Sequence, residues 1–253
     1  MKSRLLLISI VLITFLVSAV VHLPIQALLA YAPLPAQLRI SGASGSLWQG
    51  QVQQVQWQRY NLGQVSWQLQ PSKLLAGKVQ ANVRLGQGNP WKLRARGVVG
   101  YGLQGAYAEN VIASLPATEA LKFSPPLPVP LTLTGQLELS LQSWQYAAPY
   151  CRSGHGQLVW NTDTVTTPLA DLRLGPVVAE FSCQESIIDV TGEQQSEQVQ
   201  SAFSAQLNAK REYTASAWFS PQAEMPEALR ESLKWLPQPN SQGRYQFSYR
   251  GRM

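Results

Sequence analysis

With 253 residues, 13% of them charged, and a formal net charge of +6, the chain has room for one large domain or two small ones. It carries about half the ~25% of charged residues usual in soluble domains. Its cations are dispersed, densest at Arg84, Lys92, Arg94, Arg96, Lys210 and Arg211, with no basic stripe interleaved with stacking aromatics, so a nucleic-acid partner is excluded; attraction to anionic lipid stays open.

Leu5–Val21 is a run of seventeen residues without a formal charge, it follows Lys2 and Arg4, and the next charged residue is Arg39. A bilayer core of ~30 Å needs about 20 mostly apolar helical residues. This run with part of 22–30 supplies them, and positive charge before a first span keeps that end in the cytoplasm. Residues 1–30 therefore read as a cytoplasmic start and a transmembrane signal anchor, with the bulk across the membrane. A cleaved signal peptide is the rival, with Ala30-Tyr31-Ala32 as its site, but the apolar run exceeds the ~7–15 residues such peptides use.

Ala32-Pro33-Leu34-Pro35 forms a stiff exit. Beyond it the period becomes two: Val65, Trp67 and Leu69, then Val79, Ala81, Val83 and Leu85, then Trp91, Leu93 and Ala95 alternate with polar residues. One-sided alternation predicts antiparallel strands packed on one face. Asn61-Leu62-Gly63, Ala76-Gly77 and Gly86-Gln87-Gly88-Asn89-Pro90 supply turn chemistry. Ser114–Lys122 suits one or two helical turns, and the prolines of 124–130 exclude a central strand or helix and read as a connector. Leu137, Leu139 and Leu141 resume the alternation, followed by Phe203–Leu207, Tyr213–Phe219 and a closing strand over Arg244–Arg250. Pro226–Leu236 is the one helix predicted outside the membrane, with Leu229, Leu233 and Leu236 on one side. A shared Gly-x-Leu…Leu-Gly-x-Val skeleton, at Gly45 and Gly63 and again at Gly156 and Gly175, suggests two related β units, 31–123 and 131–253. The predicted fold is mainly β: one N-terminal transmembrane helix, then an antiparallel meander in two halves with few short helices.

Little in this chain points to catalysis. Cys151 and Cys183 are the two cysteines; in an oxidising compartment they suggest one disulfide, with two free thiols as the alternative, and no Cys-x-x-Cys pairing points to zinc or redox chemistry. His155, between Gly154 and Gly156, reads as a turn residue, and His22 lies in or beside the span. Gly42-Ala43-Ser44-Gly45-Ser46 lacks the last glycine and following helix of a nucleophile elbow. Gly100-Tyr101-Gly102-Leu103-Gln104-Gly105 matches a dinucleotide fingerprint as a string, but outside any βαβ unit it marks a turn or bulge. Glu138, Asp163, Asp171, Glu180, Glu185 and Asp189 are scattered on solvent faces. No catalytic, cofactor or metal residue is assigned, and no small-molecule substrate is expected. Trp48, Trp57, Trp67 and Trp91 fall within 44 residues. They read as the packing of a thin sheet or as an exposed face for a partner strand, a subunit or an acyl chain.

Several fragments recur in order: Gly45-x-Leu47-Trp48-x-Gly50; Leu62-Gly63-x-x-x-Trp67-x-x-x-Pro71-x-x-Leu74-Leu75-x-Gly77; Gly156-x-Leu158-x-Trp160; Leu174-Gly175 ahead of Cys183; and Gly243-Arg244-Tyr245-x-x-x-Tyr249-x-Gly251. Through them the chain resembles, nearly end to end, the protein N family of the bacterial type II (general) secretion pathway. The resemblance implies a non-enzymatic, single-pass inner-membrane accessory component with a periplasmic bulk, whose partners are other subunits of the secretion machine and the membrane. The alternative is an envelope lipid-binding or lipid-transport protein with an open β groove like that of AsmA-like proteins, which would add lipid as a partner.

Overall fold

The computed structural model describes residues 11–12, 14–15, 18, 22–31, 35–123, 131–162 and 164–252. Lys2, Arg4, most of the Leu5–Val21 run, much of the proline-rich exit and the 124–130 connector lie outside them. Among the described residues no helix is long and apolar enough to cross a membrane.

Period-two alternation broken by short turns forms strands that pair with their chain neighbours. A short helix α1 (Ile25–Tyr31) precedes β1 (Leu38–Gly45), β2 (Gln49–Trp57) and β3 (Tyr60–Leu69). One helical turn, α2 (Pro71–Leu74), leads to β4 (Val79–Gln87), β5 (Arg94–Gly102) and β6 (Gly105–Pro116), then to α3 (Ala117–Ala120). After β7 (Thr132–Leu133) come β8 (Gln136–Gln145), β9 (Ser153–Asn161), β10 (Val165–Thr166) and β11 (Asp171–Leu172). The chain closes with β12 (Val177–Gln184), β13 (Ile187–Gln195), β14 (Val199–Leu207), β15 (Glu212–Pro221), α4 (Glu227–Ser232) and β16 (Tyr245–Arg252).

Thirteen strands make one sheet, ordered β1-β2-β3-β4-β5-β6-β8-β9-β12-β13-β14-β15-β16, and β11-β10-β7 make a three-stranded flap. Every pairing in the large sheet is antiparallel. The segments before and after the connector meet where β6 pairs with β8, from Tyr107↔Gln145 to Pro116↔Gln136. Both therefore contribute strands to a single sheet.

Among the described residues no second layer covers this sheet. The chain's accessible surface is 17126 Å², against about 11,000 Å² for a compact monomer of this mass. Among the described residues no Leu, Phe or Trp is fully buried; the buried apolar positions are small or peripheral, such as Val52, Ala179, Val199 and the Cys151–Cys183 pair. That pair forms a disulfide with a Cα separation of 6.3 Å. It ties the segment ahead of β9 to β12, and Ser186 Oγ donates to the Cys151 carbonyl oxygen at 3.1 Å beside it.

The structure departs from the sequence-based expectations at four places. His155 sits in β9, not in a turn, because its flanking glycines serve ring packing rather than chain reversal. The strand expected from Trp91 begins at Arg94: the Asn89 side-chain amide donates to the carbonyls of Gly86 (2.8 Å) and Leu93 (2.7 Å) and accepts from the Leu93 N–H (2.9 Å), holding the preceding residues in a loop. The helix expected over Pro226–Leu236 is α4 followed by a 3-10 turn, Leu233–Trp235, after which Leu236 is extended. The segment Ser114–Lys122 is split, β6 running on to Pro116 before α3 and a 3-10 turn, Leu121–Phe123.

Candidate functional site

The pairing register sorts the sheet into two chemically distinct faces. One row of directly opposed residues runs Leu85–Ala95–Ala113–Leu139–Leu158–Ala179–Gly192–Phe203–Ala217–Phe247 across ten strands. The adjacent row on the other face runs Arg84–Arg96–Ile112–Ser140–Gln157–Glu180–Thr191–Ser204–Ser216–Ser248. Successive side chains alternate across a strand, so one face of the sheet is continuously apolar and the other polar.

A single layer must bury apolar area against its own backbone, and here rings lie over glycines of the neighbouring strand. A Cβ added at Gly50 would stand 2.5 Å from the Trp67 ring, at Gly154 2.5 Å from Trp144, and at Gly156 2.5 Å from Phe181. The Trp67 indole also donates to the Leu47 carbonyl at 3.0 Å, and the Trp160 indole to the Thr134 carbonyl at 2.9 Å. The aromatic skin thickens towards β16, where Tyr245 stacks on Phe219 with centroids 5.0 Å apart and Tyr249 on Tyr213 at 5.9 Å.

The two edges of the sheet differ. The β1 edge is partly covered: Pro24 bridges to Ser46, the Gln26 side chain donates to the Ala43 carbonyl at 2.9 Å, and the Leu47 N–H reaches the Leu23 carbonyl at 3.2 Å. The β16 edge pairs only with β15, and Phe247 and Tyr249 there are 45% and 66% exposed.

Groups that could do chemistry are held apart. On the polar face Ser143, His155, Ser182 and Asp189 form one cross-strand row, and Ser143 Oγ lies 3.2 Å from His155 Nδ1. Ser182 stands between His155 and Asp189, and Asp189 accepts from Gln206 at 2.8 Å, so the acid does not orient the imidazole as a triad requires. The string Gly100–Gly105 makes the β5–β6 hairpin, with Gly102 opposite Gly105. Among the described residues no three His, Cys, Asp or Glu side chains gather as a metal site would need. Tyr107 is the polar-face group with a displaced ionisation: burial, then the neighbouring Glu109 carboxylate, push its hydroxyl above 10.0, and it donates to Gln80 Oε1 at 2.7 Å.

The family model described as type II secretion system (T2SS), protein N, matches residues 36–248. The chain belongs to that family. The type II secretion system protein N of Vibrio cholerae serotype O1 is 46% identical to it over 98% of this chain and 97% of its own length. The protein of that name from Aeromonas hydrophila is 32% identical over 100% of both chains, and that from Pectobacterium carotovorum 26% over 89% of this chain and 88% of its own. No solved structure matches.

In this chain, the residues that carried the resemblance occupy scaffold positions. Gly45 closes the β1–β2 hairpin at φ +94, Gly50 underlies Trp67, and the Leu69 N–H bonds the Trp48 carbonyl at 2.7 Å. Leu62 and Gly63 lie near the start of β3. Pro71 starts α2, Leu74 and Leu75 end it exposed, and Gly77, at φ +67, caps it: the Gly77 N–H bonds the Leu74 carbonyl at 2.9 Å and the Lys78 N–H the Lys73 carbonyl at 3.0 Å. Gly156, Leu158 and Trp160 line the apolar face of β9, and the Leu174 carbonyl, ahead of Gly175, accepts from Gln194. Gly243 turns the chain into β16, Arg244 sits 3.9 Å above the Trp218 ring, and Gly251 underlies Tyr213.

Proposed function

We propose that this protein is a non-enzymatic accessory component of the type II secretion apparatus. Its N-terminal apolar run anchors it in the inner membrane with the amino end cytoplasmic and the sheet in the periplasm, where it acts through contacts with other subunits during export of folded proteins. The observation that carries the reading is the uncovered sheet: a continuous apolar face and an open β16 edge bearing Phe247 and Tyr249. A free edge offers unpaired backbone groups for strand addition. Helical, exposed Val11, Leu12 and Phe15 support the anchor, and the Cys151–Cys183 disulfide supports an oxidising compartment. Residues 31–123 and 131–253 are read as related β halves joined through 124–130.

A photo-crosslinking amino acid placed at Phe247 or Tyr249 in secreting cells is expected to capture another subunit of the apparatus, and deletion of the gene to leave secreted hydrolases in the periplasm. Unchanged export together with no crosslink would refute the role. A reporter enzyme fused behind Met253 and active only in the cytosol would refute the topology.

The apolar row from Leu85 to Phe247 favours a second reading, that this face holds acyl chains. Solvent extraction of the purified protein decides it: stoichiometric phospholipid supports lipid handling, and none from folded protein removes it.

A further inference from the structure

The cations of this chain are segregated. Residues 36–123 contain nine Lys and Arg against two Asp and Glu, whereas residues 131–253 contain nine against twelve. On the polar face this excess concentrates where Arg84 of β4 stands directly opposite Arg96 of β5, with Arg94 two residues along the same strand and face. Like charges directly opposite one another destabilise a sheet. All three arginines are exposed, and among the described residues none of their side chains has a hydrogen bond or a carboxylate partner. The nearest acids on this face are Glu109, opposite Val98, and Glu138, separated from Arg94 by Ser114; neither forms an ion pair with the arginines.

Arg84 and Arg96 line two adjoining hollows of about 830 and 1390 Å³, which also share Gln51 and Ser66. Register holds the pair in place: the loop between β4 and β5 is pinned by the three Asn89 side-chain hydrogen bonds, which set Arg84 against Arg96 and Leu85 against Ala95.

We propose that Arg84, Arg94 and Arg96 form a binding site for an extended acidic segment of a partner protein, its carboxylates recurring at every second residue. Guanidinium groups match carboxylates through paired N–H donors. Arg94 and Arg96 recur at ~6.6 Å along the strand, the period at which an extended peptide presents side chains on one side. Gln51, Ser66 and Asn82 add neutral donors and acceptors suited to peptide amides. Trp67, Val83, Leu85 and Ala95 also border the hollows but belong by register to the opposite face. An acyl chain would therefore find little on this one beyond Val98, Ile112 and Pro116, and the chemistry favours a peptide over a lipid.

The inference rests on the reading that the sheet works through protein contacts, but it concerns the face opposite the apolar one and fails separately from it. Full-length protein in detergent is titrated against a fluorescent octapeptide alternating Glu and Thr, with a block peptide of the same composition, inorganic phosphate and phosphatidylglycerol vesicles as rivals. Salt-sensitive binding of the alternating peptide is expected, weakened about tenfold by Arg84→Gln with Arg96→Gln and less by Arg96→Lys, which keeps the charge but loses the fork. The double variant removes mutual repulsion, so its melting temperature stays at or above that of the parent. Equal binding by the double variant, equal affinity for the block peptide, binding of the vesicles in preference to the peptide, or displacement of the peptide by phosphate at matched charge would each overturn the proposal. Loss of peptide binding with intact crosslinking at β16 leaves the role in secretion standing.

Discussion

Gly156 of β9 lies beneath the ring of Phe181 on β12: a Cβ at Gly156 would stand 2.5 Å from the ring and 2.7 Å from the Ser140 carbonyl oxygen on β8. One glycine thus admits a ring from one neighbour and a backbone carbonyl from the other; the ring would have to swing off its seat, and the carbonyl cannot yield without bending a strand. Gly156→Ala is expected to destabilise the protein by about 1–3 kcal/mol, read by thermal or urea unfolding. Gly102→Ala is the control. Its Cβ would meet only the Lys78 stem at 3.3 Å, and a change within about 0.5 kcal/mol is expected. Equal losses for the two would show that ring-over-glycine packing does not carry the sheet.

The disulfide closes a loop with a sequence separation of 32, which in the chain-entropy account is worth up to ~3.7 kcal/mol. Cys151→Ala with Cys183→Ala should lower the melting temperature and abolish its sensitivity to reductant, whereas the parent should soften when reduced. A parent protein indifferent to reductant would contradict the bond's role.

Tyr107 links stability to alkaline pH. Burial and then the Glu109 charge raise its hydroxyl above 10.0, so the folded state keeps a proton that the unfolded chain has lost. The contribution is fully present below 10.0 and declines as pH rises through the higher folded value. Melting temperature plotted against pH should fall more steeply on the alkaline side in the parent than in Tyr107→Phe, and superimposable slopes would refute the linkage.

Arg244 lies 3.9 Å above the Trp218 ring at the start of the last strand. Arg244→Ala should remove about 0.5–1 kcal/mol and shift tryptophan fluorescence. An unchanged emission spectrum would argue that the two do not touch in solution.

Strand identity was largely readable from the chain. Val65, Trp67 and Leu69 alternate in sequence and share the apolar face in space, because a period of two has only one way to face a layer. His155 was misread because glycine signals a turn when no ring partner is known; Gly154 and Gly156 answer to Trp144 and Phe181, which are distant in sequence. Trp235, expected on a continuing helix, ends a 3-10 turn and is 91% exposed, since the helix has no layer to pack on. The opposition of Arg84 and Arg96 could not be read in advance. It depends on the register of the β4–β5 hairpin, fixed by hydrogen bonds of Asn89, and a shift of one residue would have separated the charges.

Because β1 to β6 each pair with the strand just made, the first half needs only short closures, whose entropic toll is small. Such a body can zip up progressively from its amino end while later residues are still being delivered, each new hairpin templating the next. Longer detours arise at β6 to β8, β9 to β12 and β15 to β16, so those joints are where an arrested, half-built chain would pause, its last-made ribbon still looking for a neighbour.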